Sequence, residues 1–571
     1  MSAATAQELI GQAEAWRAQD PDAETRAELD VLIAGSRAGD PPAVAELHSR
    51  FDHRLEFGTA GFRGRIEAGP GRMNRVLVSQ AAAGFAAYLL EKSSLPQNSA
   101  TPSVVVGYDG RKNSRIFAED TAELMAGAGV RAILLPRLLP TPVLAFAVRH
   151  LDTSAGVMVT ASHNPPQDNG YKVYLGDSDQ GSQIVSPADA EIAAHILRVA
   201  AEQSVAELPR GEYEVADEEV VDEYVRLTAG LASHRSAELR FVYTAMHGVG
   251  WETAQRVFEA AGFGQPIVVA EQIEPDAAFP TVAFPNPEEP GAMDLAFAKA
   301  ARTSADFVIA NDPDADRLAV AVPDPSTGLS AGNPGGWRRL SGNEVGYLLG
   351  WRIAVRLARA GREGTLAASI VSTPALREIA RHYRLDYVDT LTGFKWVSRA
   401  PGLAYGFEEA LGYLVDPEKV RDKDGISAAV EFLSLMTELK AEGRTLLDHE
   451  AEFAEKFGAH ASSQISIRVN QLSDISQIMN GLRQNLPDAI GTVRVDRIDD
   501  FSDGFEQFPP GDILRIWLVD GSRVILRPSG TEPKLKVYID ASSADGTPAE
   551  RQAAAASAVA ALDAAMRQLL A

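Results

Sequence analysis

The sequence predicts an α/β protein in which three similar α/β domains precede a smaller C-terminal α+β domain. From residue 76 onward, short apolar runs alternate with amphipathic helical segments, which is typical of parallel strands joined by crossover helices. The same alternation restarts near residue 239 and again at residue 365, which indicates repeated architecture. In the last quarter, apolar and polar residues alternate within each run, as half-solvated antiparallel strands require.

The predicted elements follow in order along the chain. Helices are expected near 76–92 and 115–128, from residue 251, and near 548–570. Strands are expected at 103–107, 131–135, 154–159, 239–243, 266–270, 305–310, 365–371, 464–469, 492–495, 513–519 and 535–539. Residues 1–50 are expected to form two amphipathic helices around Asp20-Pro21-Asp22 that serve packing alone.

The chain has 571 residues, which is too long for a single hydrophobic core. A charged segment at 211–224 and a Gly/Pro-rich segment at 322–336 mark changes of composition. The expected division is an N-terminal helical extension (1–50), domain 1 (51–210), domain 2 (211–325), domain 3 (326–458) and domain 4 (459–571).

Composition narrows the possible functions. The chain has no cysteine, so disulfides, thiolate metal sites and a cysteine nucleophile are excluded. A net charge of −24 with no segregated basic patch disfavours nucleic-acid binding. No apolar stretch is long enough to span a bilayer, and the N-terminus lacks the features of a secretory signal. We therefore expect a cytoplasmic protein with no membrane or nucleic-acid partner.

A polar segment that follows the apolar run 154–159 contains the candidate nucleophile, Ser162. A serine in a polar loop commonly closes a turn or caps a helix. Here His163 and Lys172 add a proton-handling group and a cation, whereas no Gly-x-Ser-x-Gly elbow is present to support acyl transfer. A hydroxyl among cations is better suited to phosphoryl transfer.

A second motif, Asn311-Asp-Pro-Asp-Ala-Asp-Arg317, follows directly after a predicted strand. Asp312, Asp314 and Asp316 supply hard oxygen ligands that can converge on one divalent cation, best Mg²⁺. An EF-hand is excluded because Arg317 stands where that loop needs glycine, and Pro323 where it needs glutamate. The alternative is a solvated acidic turn. Arg317 can offset the charge of a metal-bound phosphoryl group.

Four further loops supply candidate binding groups, although each loop alone is a weak signal. A Gly-punctuated loop (55–65) presents a cation, two loops (390–396 and 406–412) present a lysine and a pair of glutamates, and a fourth (527–534) has the composition of a phosphate cradle. The candidates are Arg63; Lys395; Glu408 and Glu409; and Arg527 with Lys534.

These motifs, in this order, resemble those of the α-D-phosphohexomutase superfamily, which includes phosphoglucomutases and phosphomannomutases. The resemblance covers nearly the whole chain beyond the N-terminal extension. It implies a heart-shaped enzyme of four domains with mixed sheets, in which one motif loop from each domain faces a central cleft. It also implies a serine that carries a phosphoryl group, donates it to a sugar monophosphate, and recovers it from the other end of the bisphosphate.

The resemblance assigns a role to each motif. Ser162 is the phosphoserine, and one of its oxygens joins Asp312, Asp314 and Asp316 in holding Mg²⁺. Arg63, His163, Lys172 and Arg317 assist proton and charge transfer. Sugar and phosphate contacts are assigned to Thr392, Gly393, Lys395, Glu408, Glu409, Arg527, Ser529, Gly530 and Thr531. Glucose 1,6-bisphosphate is the expected activator, and a monomer or homodimer is expected.

One departure concerns the sugar. The family's sugar loop usually places serine shortly after the glutamate, whereas Ala410 follows Glu408 and Glu409 here. Together with the segment 421–427, this is similar to the branch that contains phosphopentomutases and glucose-1,6-bisphosphate synthases. Glucose phosphates are the expected substrates. The alternatives are phosphopentomutase, phosphomannomutase, bisphosphate synthase, a metal-assisted phosphatase, and a sugar-phosphate-binding protein that retains the fold.

Overall fold

The computed structural model describes residues 5–94, 101–233, 239–324, 327–328, 335–469, 472–485, 487–528 and 534–570. The chain divides into two compact units. Unit 1 comprises Met1–Leu340 and Gly412–Ser434, and unit 2 comprises Ser341–Leu411 and Leu435–Ala571.

Unit 1 contains two sheets and the helices that cover them. Its helices are α1 (Ala6–Gln19), α2 (Ala23–Arg37), α3 (Pro41–Phe51), α4 (Arg75–Ser93), α5 (Ser114–Gly127), α6 (Thr141–His150), α7 (Ala188–Glu202), α8 (Glu219–Ala229), α9 (Gly250–Ala260) and α10 (Asp294–Thr303). Its strands are β1 (Phe62–Arg65), β2 (Ser103–Tyr108), β3 (Arg131–Leu134), β4 (Ala155–Val159), β5 (Asp168–Leu175), β6 (Ser182–Gln183), β7 (Glu214–Val215), β8 (Phe241–Thr244), β9 (Ile267–Val268), β10 (Phe307–Asn311), β11 (Leu318–Pro323), β12 (Trp337–Arg339) and β16 (Gly412–Leu414).

Unit 2 contains a parallel sheet and an antiparallel one. Its helices are α11 (Gly342–Ala360), α12 (Ala375–Tyr383), α13 (Phe394–Val397), α15 (Leu446–Phe457), α16 (Leu472–Gln484) and α17 (Pro548–Leu569), and α14 (Gly425–Ala441) begins in unit 1 and ends in unit 2. Its strands are β13 (Thr365–Ser369), β14 (Asp386–Thr390), β15 (Leu403–Glu408), β17 (Ala459–Arg468), β18 (Ala489–Ile490), β19 (Val493–Asp500), β20 (Leu514–Leu518), β21 (Arg523–Pro528) and β22 (Lys534–Ser543).

Both sheets of unit 1 are mixed. The first has the order β1-β5-β4-β2-β3-β7, in which β2, β3, β4 and β7 are parallel and β5 returns antiparallel to β4. The second has the order β12-β11-β10-β8-β9, with β11 antiparallel to β10. In each sheet, therefore, a strand turns back directly after a buried parallel strand. Both turns contain a motif predicted from the sequence.

In unit 2, β14, β13 and β15 pair in parallel, and the strand order β17-β22-β21-β20-β19-β18 forms an antiparallel sheet covered by α17. The central strands β20, β21 and β22 of the antiparallel sheet are mostly buried, whereas β17 and β19 carry more exposed residues. The predicted fold class, α/β domains followed by a C-terminal α+β domain, is confirmed.

The N-terminal extension differs from the expectation of two helices, since it forms three. Gly39 adopts a left-handed φ of +74° and Pro41 opens α3, so the second predicted helix is divided at this point. The three helices bury Leu9, Leu29 and Leu47 in a cluster that also contains core residues of α4, α5 and α7. The extension thus packs on the helices of the first sheet.

A partly buried imidazole in unit 2 gives a testable dependence of stability on pH. His449 stacks on Trp351 with ring centroids 4.3 Å apart, and burial lowers its pKa to about 4. The folded state therefore resists protonation that the unfolded chain accepts below about pH 6.5. The neutral His449 side chain therefore leaves the free energy of unfolding at its full value above pH 6.5. That free energy decreases progressively as the pH falls towards 4.

We expect His449→Phe to reduce the acid sensitivity of unfolding by about 2–3 kcal/mol between pH 7 and pH 4.5. Urea titrations of both proteins at the two pH values measure the difference. His150→Phe is the matched control, because His150 also stacks on an aromatic ring but is exposed. An unchanged pH dependence in His449→Phe would contradict the assignment.

Candidate active site

Ser162 lies in the turn between β4 and β5. The side chains of β4 are all buried, and the chain reverses at 160–167 before β5 returns beside it. Ser162 is 2% exposed and adopts a left-handed φ of +51°, a conformation that residues other than glycine, asparagine and aspartate rarely take. Its N–H donates to Thr160 Oγ1 over 2.8 Å. The backbone of the serine is therefore held in a strained conformation.

The serine hydroxyl meets the acidic loop of the second sheet. Ser162 Oγ donates to Asp312 Oδ2 over 2.7 Å, and the same oxygen lies 3.1 Å from His163 Nδ1. These contacts bring together two motifs that are 150 residues apart in the sequence.

The three aspartates converge because they occupy the tight turn between β10 and β11. Asp312, Asp314 and Asp316 are 0%, 0% and 1% exposed, and each offers an oxygen within 4.8 Å of the others. The turn packs closely on its surroundings, since a Cβ at Gly248 would lie 2.3 Å from Pro313. These carboxylates are therefore buried together, and the alternative of a solvated acidic turn is wrong.

Buried cations offset the charge of the three carboxylates. Lys172 Nζ donates to Asp314 Oδ2 over 2.7 Å and to Asp316 Oδ2 over 3.0 Å. Lys423 Nζ lies 2.9 Å from Asp316 Oδ2. Lys423 was not predicted as a site residue, although the segment 421–427 had been singled out for its family resemblance. Only the fold shows that its ammonium group reaches the acidic loop.

Arg317 and Arg63 lie near the same group of side chains. The Arg317 guanidinium is 4.0 Å from Asp312 and 3.9 Å from Asp316, and the Arg317 N–H donates to Asp312 Oδ1 over 3.0 Å. Arg63 stands on β1 opposite Gly170 of β5, with Nη1 3.5 Å from the side-chain oxygen of Asn164 in the serine turn. The structure thus brings all the predicted residues of unit 1 into one site.

Burial and neighbouring charges shift the pKa values of the titratable groups of this site in different directions. Burial and the charges of Asp314 and Asp316 raise the pKa of Asp312 well above its usual range. Burial acts in the same direction on Asp314, but the charge and hydrogen bond of Lys172 outweigh it and lower the pKa of that carboxyl. Burial, reinforced by Arg317 and Arg63, holds the pKa of His163 well below its usual range. The imidazole is therefore neutral at pH 7.

The acidic loop fits a divalent cation. Asp314 Oδ1 and Asp316 Oδ1 are buried and have no hydrogen-bond partner among the described residues. An orphaned buried carboxylate oxygen is costly unless a cation or a water satisfies it. The three carboxylates together suit a hard ion such as Mg²⁺.

The predicted sugar-binding residues belong to unit 2. Glu408, at the end of β15, accepts a hydrogen bond from the N–H of Gly393 over 2.6 Å, and Gly393 has a φ of +116° that favours glycine. Thr392 precedes it in the same loop, and Lys395 Nζ lies 6.0 Å from the centroid of the Trp396 ring. The structure therefore brings the loop of Thr392 and Gly393 together with Glu408.

The second glutamate of the pair has a different environment. Glu409 Oε2 accepts hydrogen bonds from Ser372 Oγ over 3.0 Å and Ser369 Oγ over 3.2 Å. These serines, at the end of β13 and just beyond it, fix the Glu409 side chain. Neither was predicted from the sequence.

The predicted phosphate loop is described in part. Arg527 lies on β21 opposite Lys536 of β22, and Lys534 begins β22. Ser529, Gly530 and Thr531 lie outside the described residues.

Two residues that sequence reasoning missed lie directly behind Ser162. Arg111 and Asp109 follow β2 and are 4% and 2% exposed. The Arg111 guanidinium donates to the Ser162 carbonyl over 2.6 Å, and Asp109 accepts from the Thr160 hydroxyl over 2.7 Å. The available sequence signal was a pair of opposite charges directly after a buried strand.

Comparison with known proteins identifies the class. Four family models match along the chain, described as phosphoglucomutase/phosphomannomutase alpha/beta/alpha domains I, II and III and the C-terminal domain, at residues 54–203, 222–328, 341–456 and 478–557. With the buried serine and acidic loop, they define a phosphosugar mutase, an isomerase of the phosphotransferase type. The chain belongs to the phosphoglucomutase/phosphomannomutase family.

Similar proteins carry different substrate names. The chain is 56% identical to a probable phosphomannomutase of Haemophilus influenzae, over 84% of this chain and 95% of that protein. It is 34% identical to the mouse phosphopentomutase (92% and 89% covered) and 32% identical to a Staphylococcus aureus phosphoglucomutase (86% and 91% covered). The predicted family is confirmed, and the names of the relatives leave the sugar open.

Solved structures confirm the fold. A phosphoglucomutase/phosphomannomutase family protein of Burkholderia thailandensis superposes with a TM-score of 0.66 at 20% identity, covering 90% of this chain and 96% of the other. The parafusin of Paramecium gives a TM-score of 0.65 at 19% identity, with the same coverage.

Within the described residues, no helix has the length and apolarity needed to cross a membrane.

Proposed function

We propose that the protein interconverts the 1-phosphate and 6-phosphate of glucose through a phosphoserine at Ser162. The observation that carries this proposal is the 2.7 Å contact between the Ser162 hydroxyl and Asp312, inside a buried group of three carboxylates. A hydroxyl in such surroundings is poorly placed for acyl chemistry but well placed to hold a phosphoryl group beside a cation.

The reaction consists of two phosphoryl transfers in opposite directions. A free hydroxyl of the sugar monophosphate attacks the phosphorus on Ser162, the bond between phosphorus and Oγ breaks, and a sugar bisphosphate forms. After the bisphosphate turns end for end, Ser162 Oγ attacks the other phosphorus and the product monophosphate leaves. Each transfer moves one proton from the attacking hydroxyl to the departing oxygen.

The side chains around Ser162 support these steps. Neutral His163, with Nδ1 3.1 Å from Ser162 Oγ, can take and return the proton. Lys172, Arg63 and Arg317 provide positive charge for the phosphoryl oxygens. Most of the catalysis then comes from positioning and charge stabilisation.

We assign Asp312, Asp314 and Asp316, with an oxygen of the phosphoserine, as the ligands of Mg²⁺. When bound, the ion supplies positive charge that stabilises the phosphoryl group during transfer. The two unpartnered oxygens of Asp314 and Asp316 support this assignment.

We assign the remaining candidates to substrate binding. Lys395, Glu408 and Glu409, with the loop of Thr392 and Gly393, contact the sugar, and Arg527 contacts the phosphate that is not reacting. The hydrogen bond between Glu408 and Gly393 supports the first assignment, since it joins two of the predicted segments. Ser529, Gly530 and Thr531 are assigned with Arg527 from the sequence motif alone.

Phosphorus NMR and peptide mass spectrometry test this function together. Glucose 1-phosphate, mannose 1-phosphate and ribose 1-phosphate are offered separately, with Mg²⁺ and a trace of glucose 1,6-bisphosphate, and the covalent phosphate is then mapped. We expect fastest conversion of the glucose ester and a phosphate on Ser162. No conversion of any ester, or a phosphate mapped elsewhere, would refute the proposal.

A pentose phosphate is the second candidate substrate, and Ala410 is the observation that favours it. Alanine removes a hydroxyl that could bond a hexose, and a relative at 34% identity is named a phosphopentomutase. The relative at 56% identity is named a probable phosphomannomutase, so mannose phosphate belongs in the same panel. A faster rate with the ribose ester would change the proposed substrate and leave the phosphoserine mechanism in place.

Restoring the hydroxyl tests the sugar loop directly. We expect Ala410→Ser to shift the ratio of hexose to pentose kcat/KM in favour of hexose by about 1–3 kcal/mol, because the added group can pair with a sugar hydroxyl. Steady-state kinetics with glucose and ribose esters measure the ratio. Ala404→Ser, earlier on β15, is the control, and equal ratios in both variants would count against this role for position 410.

We further propose glucose 1,6-bisphosphate as the activator, because this bisphosphate can transfer a phosphoryl group to a Ser162 that has lost its own. The net charge of −24 disfavours nucleic acid as a partner, and a small phosphorylated substrate must therefore be held by cations concentrated at the site. A cytoplasmic location, a monomer or homodimer, and the domain division predicted above complete the proposal.

A further inference from the structure

The carbonyl groups of the serine turn converge on one buried guanidinium. Arg111 Nη2 donates to the carbonyls of Ser162 and Asn164, each over 2.6 Å, and Nη1 donates to those of Pro165 and Asp168 over 2.8 and 3.1 Å. All four carbonyls belong to the turn 160–167 or the first residue of β5. The planar fork of arginine can serve four acceptors at once, which an ammonium group cannot do in the same geometry.

Asp109 holds the other side of the same turn. It lies 3.5 Å from Arg111 Nε, and its Oδ2 accepts from Thr160 Oγ1 over 2.7 Å. Thr160 Oγ1 in turn accepts from the Ser162 N–H over 2.8 Å. The N–H and the carbonyl of Ser162 are thus both connected to the pair Asp109 and Arg111, one through Thr160 and the other directly.

This arrangement explains how Ser162 keeps its left-handed backbone. A φ of +51° is unfavourable for serine and persists only where the surroundings determine it. Rotating Ser162 towards an ordinary conformation would move its N–H or its carbonyl away from these partners. The hydrogen bonds therefore also fix the direction of the side chain, whose Oγ lies 2.7 Å from Asp312.

Arg111 also contacts the part of unit 1 that carries the acidic loop. Its guanidinium carbon lies 4.9 Å from the centroid of the Phe279 ring, in the segment between β9 and α10. One face of the guanidinium thus packs on an aromatic ring while its edges bind the serine turn. This packing fixes the guanidinium itself.

We propose that Asp109 and Arg111 are a positioning pair that holds Ser162 in line for phosphoryl transfer. This inference rests on the proposed function, since it gives the pair a role in the reaction of Ser162. Both side chains are buried, at 2% and 4% exposure, so we assign them an effect through Ser162 and not a contact with the substrate. Their effect is on the rate at which a bound substrate and Ser162 exchange phosphate, and a misplacement of about 1 Å can cost about 10²-fold in such a step.

Arg111→Lys tests the pair, since it keeps the charge but loses the fork. We expect kcat to fall by about 10²-fold while KM changes by less than about threefold, because substrate binding is retained and alignment is not. Single-turnover transfer from glucose 1,6-bisphosphate to Ser162, followed by mass spectrometry, should slow by the same factor. Arg115→Lys is the matched control: Arg115 stands four residues on in α5 with its side chain 74% exposed, and this variant should match the wild type.

Thr160→Val is the second variant, and it decides the question alone if Arg111→Lys does not fold. It removes the hydroxyl between Asp109 and Ser162 at nearly constant volume, and we expect kcat to fall by about tenfold at unchanged KM. If the folded variants keep kcat within about twofold of the wild type, or if KM alone rises, the positioning role is refuted. Wild-type turnover in Ser162→Ala would instead refute the proposed function, so the two failures are distinguishable.

Discussion

Ser162→Ala is expected to lower kcat for the glucose esters by about 10⁴-fold or more, the scale of loss when a covalent nucleophile is removed. In the proposed mechanism this hydroxyl gives up and regains the phosphoryl group. Among the described residues, it is the hydroxyl that donates a hydrogen bond to Asp312. Phosphorus NMR measures turnover, and mass spectrometry should show no covalent phosphate after incubation with glucose 1,6-bisphosphate.

Ser103→Ala is the control for this experiment. Ser103 is also a buried serine of the first sheet. Its hydroxyl oxygen accepts a hydrogen bond from the backbone N–H of Ser154 and lies away from the acidic loop, at the opposite end of β2 from Asp109. That variant should keep wild-type kcat. Turnover in Ser162→Ala within about tenfold of the wild type would mean that another group carries the phosphate.

Asp314→Asn is expected to lower kcat/KM by about 10³-fold, equivalent to several kcal/mol of lost charge stabilisation, and to weaken Mg²⁺ binding. The amide removes one anionic ligand and leaves Lys172 with one carboxylate partner, Asp316, instead of two. Isothermal titration calorimetry with MgCl₂ measures the binding, and activity is followed over a range of Mg²⁺ concentrations.

The same strand offers a matched control for the metal ligand. Asp306 stands directly before β10, at the end opposite the acidic loop, and its carboxylate accepts a hydrogen bond from the N–H of Arg240. Asp306→Asn should leave Mg²⁺ binding unchanged. Equal Mg²⁺ affinity in Asp314→Asn and the wild type would remove Asp314 from the ligand set.

The motifs that the sequence revealed are those whose residues are neighbours in the chain. Ser162 with His163, and the three aspartates at alternate positions, were recognisable because a strand ending in polar residues concentrates chemistry in a few positions. The α/β class was predictable for a similar reason, since buried strands and amphipathic helices carry local periodicity. The roles assigned to these residues remain predictions.

What the sequence did not reveal depends on contacts across long separations. Lys172 lies on β5, a strand that was not predicted because its nearly continuous burial hides the alternation typical of a half-solvated strand. Lys423 lies 107 positions from Asp316 in the numbering, and no local pattern indicates that they meet. The start of α3 was missed because the helical composition on both sides is uniform. Gly39 and Pro41 are the local features that mark the boundary. The domain boundaries remain predictions.

In unit 2, the strand that carries Arg527 is bonded to the segment that holds Glu409. Arg523, on the strand that also carries Arg527, donates to the carbonyl of Ser372, and the Ser372 hydroxyl holds Glu409. A shared apolar cluster that includes Ile370, Val371, Ile525 and Tyr538 joins the same two segments. These contacts hold Glu409 and the strand that carries Arg527 at a fixed spacing. Under the roles proposed for Glu409 and Arg527, this fixed spacing sets the distance between the bound sugar hydroxyls and the phosphate that is not reacting.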